Sequence, residues 1–285
     1  MSIKSIAKRI TPRRVWSLLR RYSDYRELRL YKRSIAAFSS RVVRHVYGGF
    51  PLDVFIGDPT AERWYDRDWP LPSELAFMQS HRLVPGAKVF DLGAHQSILA
   101  LMMAQIVGPT GFVLAVEGNA HNAAISRRNG ELNNVPHLEV VSAAVSDRPG
   151  TVSFNERLNG QVACDSTWGS VSVEAVTVDR LSARFGMPDI LYIDVEGYEC
   201  HVLRGAIATL QHGPDCFVEV HVGVGLEQLQ GSVEEVLRFF PADRYELFAA
   251  SGREATLEPT FIPLGTDRSI FSDRFFLIAL HRKLS

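Results

Sequence analysis

Four carboxylates end apolar runs in this chain, and each is followed by small or turn-forming residues. They are Asp91 in Phe90-Asp91-Leu92-Gly93-Ala94, Glu117 in Val116-Glu117-Gly118-Asn119, Asp194 in Ile193-Asp194-Val195-Glu196-Gly197, and Glu219 in Val218-Glu219-Val220-His221. Acids so placed can hold a cation or a set of hydroxyls, or can take a proton from a reacting group. Glu219 and His221 lie two apart on one run and so share a face of a strand. Such a pair suits a base with its orienter, or two ligands of a divalent metal. His221 is the first candidate for the general base, and Asp194 the second. Each residue also has a plainer reading. A lone aspartate after a strand is often a helix cap, and a lone histidine often only bonds a neighbouring strand. Four acids at four run ends favour a site over four caps.

For these acids to converge, the runs that carry them must lie side by side. From Ser73 onward short apolar runs alternate with helix-period segments. Ala87–Gly93 precedes Ile98, Leu99, Met102, Met103 and Ile106, and the run Phe112–Asn119 precedes a polar helix through Arg127 and Leu132. Leu138–Ser146 follows, then hairpin strands led in by Pro149-Gly150, then Asp189–Gly197, a helix lined by Val202, Leu203, Ala206 and Leu210, and the run Cys216–Val222. Two last runs, Tyr245–Ser251 and Arg274–Arg282, read as a terminal antiparallel pair. The pattern predicts an α/β fold, a Rossmann-like doubly wound sheet that is mostly parallel, with an antiparallel C-terminal strand. Ligands in such sheets bind beyond the carboxyl ends of the strands. The candidates there are Asp91, Gly93, Ala94, Glu117, Asn119, Ala143, Asp194, Glu219 and His221.

The loop after the first of these strands narrows the ligand. A dinucleotide pyrophosphate calls for Gly-x-Gly-x-x-Gly at a helix start. Here Gly93 is followed by Ala94, His95, Gln96 and Ser97, and the acidic Asp91 stands just before it. A cationic cofactor without phosphates suits this loop better. S-adenosylmethionine offers an ammonium for an acid, a carboxylate for loop N–H groups, and ribose hydroxyls for Glu117. Ser97 is small enough to keep strand and helix close and is expected to cap the helix. His95 supplies a donor and is expected to titrate.

The segments Val89–Ala100, Ala115–Asn122, Ala143–Phe154, Val176–Leu181 and Leu191–Ala206 together resemble the FkbM-type methyltransferases. The run Ile193-Asp194-Val195-Glu196-Gly197-Tyr198-Glu199, continued by Val202-Leu203-Arg204-Gly205-Ala206, is the most diagnostic part. The resemblance covers about half the chain, Ser73 to Val222. It implies an S-adenosylmethionine-dependent enzyme of the kind that methylates hydroxyls of sugars, glycolipids or polyketides. It further implies that Asp91, Gly93, Ala94 and Glu117 contact the cofactor, and that Glu74 and Asp194 stand at the rim of the methyl-transfer cavity. The sequence departs from the family pattern at His95 (usually asparagine), at Ser97 (usually glycine) and at Tyr192, where a basic residue is common. No Asp/Asn-Pro-Pro-Tyr run is present, which disfavours amino methyltransferases of nucleobases or protein amides.

The rest of the chain is divided as a basic arm (1–50), an aromatic and proline-rich connector or lid (51–72) and a methyltransferase domain (73–285). The arm holds 13 Lys and Arg against Asp24 and Glu27, whereas the remainder holds 18 basic and 30 acidic residues. Thr11-Pro12 reads as a helix start. An apolar seam of Leu18, Tyr22, Tyr25, Leu28, Tyr31, Ile35, Phe38, Val42 and Val46 reads as one long helix closed by Gly48-Gly49. Its expected place is against the acidic domain or a second copy of the chain, with an anionic membrane surface as the alternative. Nucleic acid is disfavoured, and with it an RNA methyltransferase, because the tyrosines fall in the seam rather than among the arginines. Cys164, Cys200 and Cys216 have no C-x-x-C spacing, so a reducing, cytoplasmic setting is expected. A catalytically inactive methyltransferase-fold scaffold is the competing reading.

Overall fold

The computed structural model describes residues 13–155, 160–163, 170–251, 260–265 and 269–282. The chain opens with α1 (Arg13–Ala36), β1 (Arg41–Tyr47), β2 (Phe50–Ile56), α2 (Pro59–Tyr65) and α3 (Ser73–Gln79). Alternation then begins with β3 (Lys88–Leu92), α4 (Ile98–Val107), β4 (Phe112–Glu117), α5 (Ala120–Leu132) and β5 (Leu138–Ser142). A small sheet follows, from β6 (Ala144–Val145), β7 (Gly150–Asn155), β8 (Gln161–Val162) and β9 (Ser170–Val176). The chain continues through α6 (Val178–Phe185), β10 (Ile190–Ile193), α7 (Glu199–Arg204), α8 (Ile207–His212) and β11 (Asp215–Val220). It closes with α9 (Val233–Arg238), β12 (Tyr245–Ser251), β13 (Ile262–Pro263) and β14 (Phe275–His281).

Among the described residues the main sheet runs β13-β12-β14-β11-β10-β3-β4-β5. β5, β4, β3, β10 and β11 pair in parallel, and β14 inserts antiparallel between β11 and β12. This is the Rossmann-like sheet expected from the sequence, with the terminal antiparallel pair in place. Side-chain alternation divides its core into two layers. Val89, Ala115, Tyr192 and Phe217 face one cluster, while Phe90, Leu114, Leu191 and Val218 face the other. Central strands buried on both faces read as unbroken apolar runs, which is why they were legible. The order reverses between β3 and β10, so the carboxyl ends of β3, β4, β10 and β11 open on one crevice.

The arm is not one long helix. α1 stops at Ala36, and Arg41–Tyr47 pairs in register with Phe50–Ile56, Tyr47 opposite Phe50. Gly48 and Gly49 form the two-residue connection, both with positive φ (59° and 89°), the conformation such hairpins demand. The valines at 42, 43 and 46 are stiff at χ1 and favour a strand. The connector is also structured. Leu52, Val54 and Ile56 alternate into the core, and the β2 edge is satisfied by Asn133 and Asn129, whose Oδ1 atoms accept from Asp53 N and Phe55 N at 2.9 and 2.8 Å. Thr11-Pro12 and Cys164 fall outside the described residues; Cys200 and Cys216 are buried.

Asp58 ties this amino-terminal unit to the loop after β3. Its fully buried carboxylate caps α2, accepting from Thr60 N and Ala61 N at 2.8 Å each. The other oxygen accepts from Gln96 Nε2 at 2.8 Å and pairs with His121 Nε2 at 2.9 Å. Burial alone would raise the Asp58 pKa. The bonds from His121, Ala61 and Gln96 outweigh it and hold the group below its ordinary value. No helix among the described residues is long and apolar enough to cross a membrane.

Candidate active site

The crevice holds a cavity of about 320 Å³. One wall is the turn after β3. Gly93 takes φ 95° and His95 φ 48°, so the chain doubles back and Gly93 N and Ala94 N donate to Val116 O at 2.9 and 3.1 Å. A side chain could not be added here: a Cβ on Gly93 would fall 1.7 Å from the Asp194 carbonyl oxygen. The lone glycine is therefore the contact that lets the β3 and β10 turns touch.

Asp91 and Glu117 face this cavity from adjacent strand ends. Asp91 is 2% exposed, and its Oδ2 has no hydrogen-bond partner among the described residues. Burial, aided by the nearby Glu117 charge, pushes its pKa up to about 8. Burial likewise pushes Glu117 up to about 7, although Asn119 N and His95 N donate to it at 2.6 and 2.8 Å. Two buried carboxylates, one with an unanswered oxygen, need donors or a positive charge from a ligand.

Aromatic residues roof the same space. Trp64, Tyr65 and Trp69 line it. Tyr65 Oη pairs with His95 Nδ1 at 2.8 Å, and the Trp64 ring lies 5.3 Å from that of His95. Burial under this roof pushes His95 down to about 4, so the imidazole is neutral at pH 7 and does not titrate there as the sequence reading expected. On another wall the Phe154 ring packs against Gly118 and Gly160, where a Cβ would come within 2.6 and 2.7 Å.

At the β10 and β11 ends lies the acid cluster. Asp194 and Glu219 line the cavity, with His221 immediately behind at 2% exposure. His221 Nδ1 pairs with Glu199 Oε1 at 2.7 Å, and Glu199 is itself fully buried. Its Nε2 faces Glu196, Glu219 and Asp194 oxygens at 3.4, 3.5 and 3.7 Å. Burial disfavours the charged ring, but the Glu199 bond and the surrounding carboxylates outweigh it and raise His221 to about 9. Burial first, then the Glu219 charge, raises Asp194 well above the carboxylate range. Glu219 is also raised by burial, opposed by His221 and by Arg274, whose Nη1 lies 3.0 Å from Glu219 Oε1.

The structure thus gathers Asp91, Gly93, Ala94, His95, Glu117, Ala143, Asp194 and Glu219 around one cavity. It gives the remaining candidates other positions. Asn119 caps α5, accepting from His121 N at 2.9 Å. Ser97 adopts a left-handed conformation and does not cap α4; its hydroxyl pairs with Ser126. Glu74, in the first turn of α3, accepts from Tyr192 Oη at 3.2 Å. Tyr192 thereby spends its hydroxyl on Glu74 and stacks on Phe217, centroids 4.3 Å apart. His221, the first candidate for the base, sits behind the carboxylates and is protonated at neutral pH. Sequence reasoning overlooked Glu199 and Asp58. The Asp58-Pro59 pair, a cap followed by proline at the first helical position, was the available signal for the latter.

The methyltransferase FkbM domain matches residues 91–247, more than half of the chain. The chain belongs to the FkbM methyltransferase family. The matched span of this FkbM domain runs from the end of β3 through β11 and holds every acid that lines the cavity: Asp91, Glu117, Asp194, Glu196 and Glu219. The hexuronic acid methyltransferase AglP of Haloferax volcanii is 38% identical over 61 residues, 21% of this chain. That match spans only 26% of the AglP length. Among solved structures, an FkbM methyltransferase of Methylobacillus flagellatus KT aligns at a TM-score of 0.44 with 15% identity, covering 67% of this chain and 43% of that one. An O-methyltransferase of Thermotoga maritima aligns at 0.42 with 14% identity, covering 86% and 79%.

Proposed function

We propose that this FkbM-family chain is an S-adenosylmethionine-dependent O-methyltransferase acting on a hydroxyl of a sugar, glycoside or related natural product. The observation that carries the reading is Asp91, a buried, unanswered carboxylate facing a cavity beside Glu117. Those acids, the Gly93 turn and the slot at Phe154 fit a cationic nucleoside without phosphates. Asp91 would hold its ammonium, Glu117 its ribose hydroxyls, and the Phe154 wall its base. When bound, that cofactor supplies a methyl group on a positively charged sulfur.

The chain's own residues deal with the acceptor. An alcohol oxygen needs its proton removed as it attacks. The imidazolium of His221 has no free site for that proton. Asp194 does: it is 31% exposed at its side chain, lines the cavity, and is raised by burial toward the range of an effective base. Asp194 is therefore the proton acceptor in this reading. Glu219 and His221, held by Arg274 and Glu199, are the positioning groups behind it. The aromatic roof keeps water from the reacting oxygen. The saccharide class is supported by the local similarity to AglP and by the indoles of Trp64 and Trp69, which offer flat apolar faces beside hydroxyl-accepting acids.

The test is transfer of a labelled methyl group from S-adenosylmethionine to a panel of hexosides and hexuronosides, read by mass spectrometry. An O-methyl ether on a sugar is the expected product. Label found only on nitrogen or carbon, or on no acceptor in the panel, would count against the reading.

A further inference from the structure

The geometry points to a binding site for a first-row divalent cation at Asp194, Glu219 and His221, opening on the same cavity. One ligand atom from each of these residues lies within 4.8 Å of the other two. The separations are informative. His221 Nε2 stands 3.4 to 3.7 Å from the oxygens of Glu196, Glu219 and Asp194, too far for ordinary hydrogen bonds. Nitrogen and oxygen ligands bound at about 2.1 Å in a tetrahedral set lie about 3.4 Å from one another.

Two further observations point to a guest. The His221 ring is 2% exposed and aims its Nε2 into three carboxylates with no contact to them shorter than 3.4 Å. Asp194 Oδ1 is likewise buried without a hydrogen-bond partner. Glu199 supplies the orienting contact that metal-bound histidines use: it takes Nδ1 at 2.7 Å, and a cation would displace the proton that Nε2 carries in the free protein. Arg274 lies 3.0 Å from Glu219 Oε1, so a cation shares that carboxylate with it. Mixed imidazole and carboxylate ligands favour manganese or zinc over magnesium, which prefers oxygen alone.

The site deepens the methyl-transfer reading and rests on it for its use. A cation here, held by one Asp194 oxygen, would sit beside the acceptor oxygen and polarise its O–H bond, so that its proton leaves more readily to the other Asp194 oxygen. The test is a titration of the full chain with MnCl2, following free Mn2+ by electron paramagnetic resonance, with S-adenosylhomocysteine calorimetry on the same samples. The wild type should retain one equivalent of Mn2+. Glu219→Gln and His221→Asn should each weaken retention at least tenfold, and Mg2+ should compete poorly. Glu219→Gln is the milder change, and calorimetry shows whether each variant still binds nucleoside and so is folded. A wild type that binds nucleoside but retains no Mn2+ overturns the cation site alone. Unchanged retention in both folded variants also overturns it. Retained Mn2+ without nucleoside binding supports the cation site and counts against the cofactor reading.

Discussion

Gly93→Ala is expected to weaken binding of S-adenosylhomocysteine at least 100-fold. The added Cβ would sit 1.7 Å from the carbonyl oxygen of Asp194, with the Asp194 carbonyl carbon at 2.8 Å. Backbone cannot rotate aside as a side chain can, so the β3 and β10 turns must separate. That separation pulls on the bonds that set the pocket: Asp194 N to Leu92 O at 2.9 Å, Gly93 N to Val116 O at 2.9 Å, and His95 N to Glu117 Oε2 at 2.8 Å. The φ of 95° adds strain of about 1 kcal/mol or more for any side chain. Gly49→Ala is the control. Its φ is 89° but nothing lies within 4 Å of its Cβ, so it should carry the strain without the collision. Calorimetry of both variants, with thermal melts, separates the two effects. Nucleoside affinity in Gly93→Ala within threefold of wild type would mean that the turn does not shape the pocket.

The second large effect is expected at Asp194→Asn: turnover should fall by roughly 10² to 10⁴, the usual range for removing a general base. Affinity for S-adenosylhomocysteine should stay within about threefold, because the amide keeps the size of the carboxylate and the backbone contact with Gly93 is untouched. A fall in rate with intact binding locates the defect in the chemical step. Turnover within tenfold of wild type would move the proton-accepting role to another group of the cluster.

Much of this site was readable before any coordinates. Asp91, Glu117, Asp194 and Glu219 each close an apolar run, and such runs become buried parallel strands whose ends meet. The hairpin was misread because the steps of three and four through Phe38, Val42 and Val46 continue a helical seam. Gly48-Gly49 serves equally as a helix end or a two-residue turn. Only the clustered valines spoke for a strand. The partnership of His221 with Glu199 joins residues 22 positions apart, one in the loop beyond β11 and one on α7, and no local pattern encodes it. Asp58 reaches Gln96 and His121 across 38 and 63 positions. The neutral state of His95 arises from the roof at Tyr65 and Trp64, an effect of tertiary burial rather than of its own neighbours.

The central claim is that two buried carboxylates, Asp91 and Glu117, hold a sulfonium nucleoside. Burial raises both, to about 8 and about 7, so in the free protein both are largely protonated at pH 6. A ligand that brings an ammonium and donating hydroxyls favours the ionised forms, so binding must release protons, and affinity must rise as pH rises. The gain is at most about tenfold per pH unit for each group still protonated. Calorimetric titration with S-adenosylhomocysteine at pH 6 and pH 8, in two buffers of different ionisation heat, measures this directly. The expected result is one nucleoside per chain, bound at least tenfold more tightly at pH 8, with protons released to the buffer at pH 6. No binding at either pH, or equal affinity with no proton release, would contradict it.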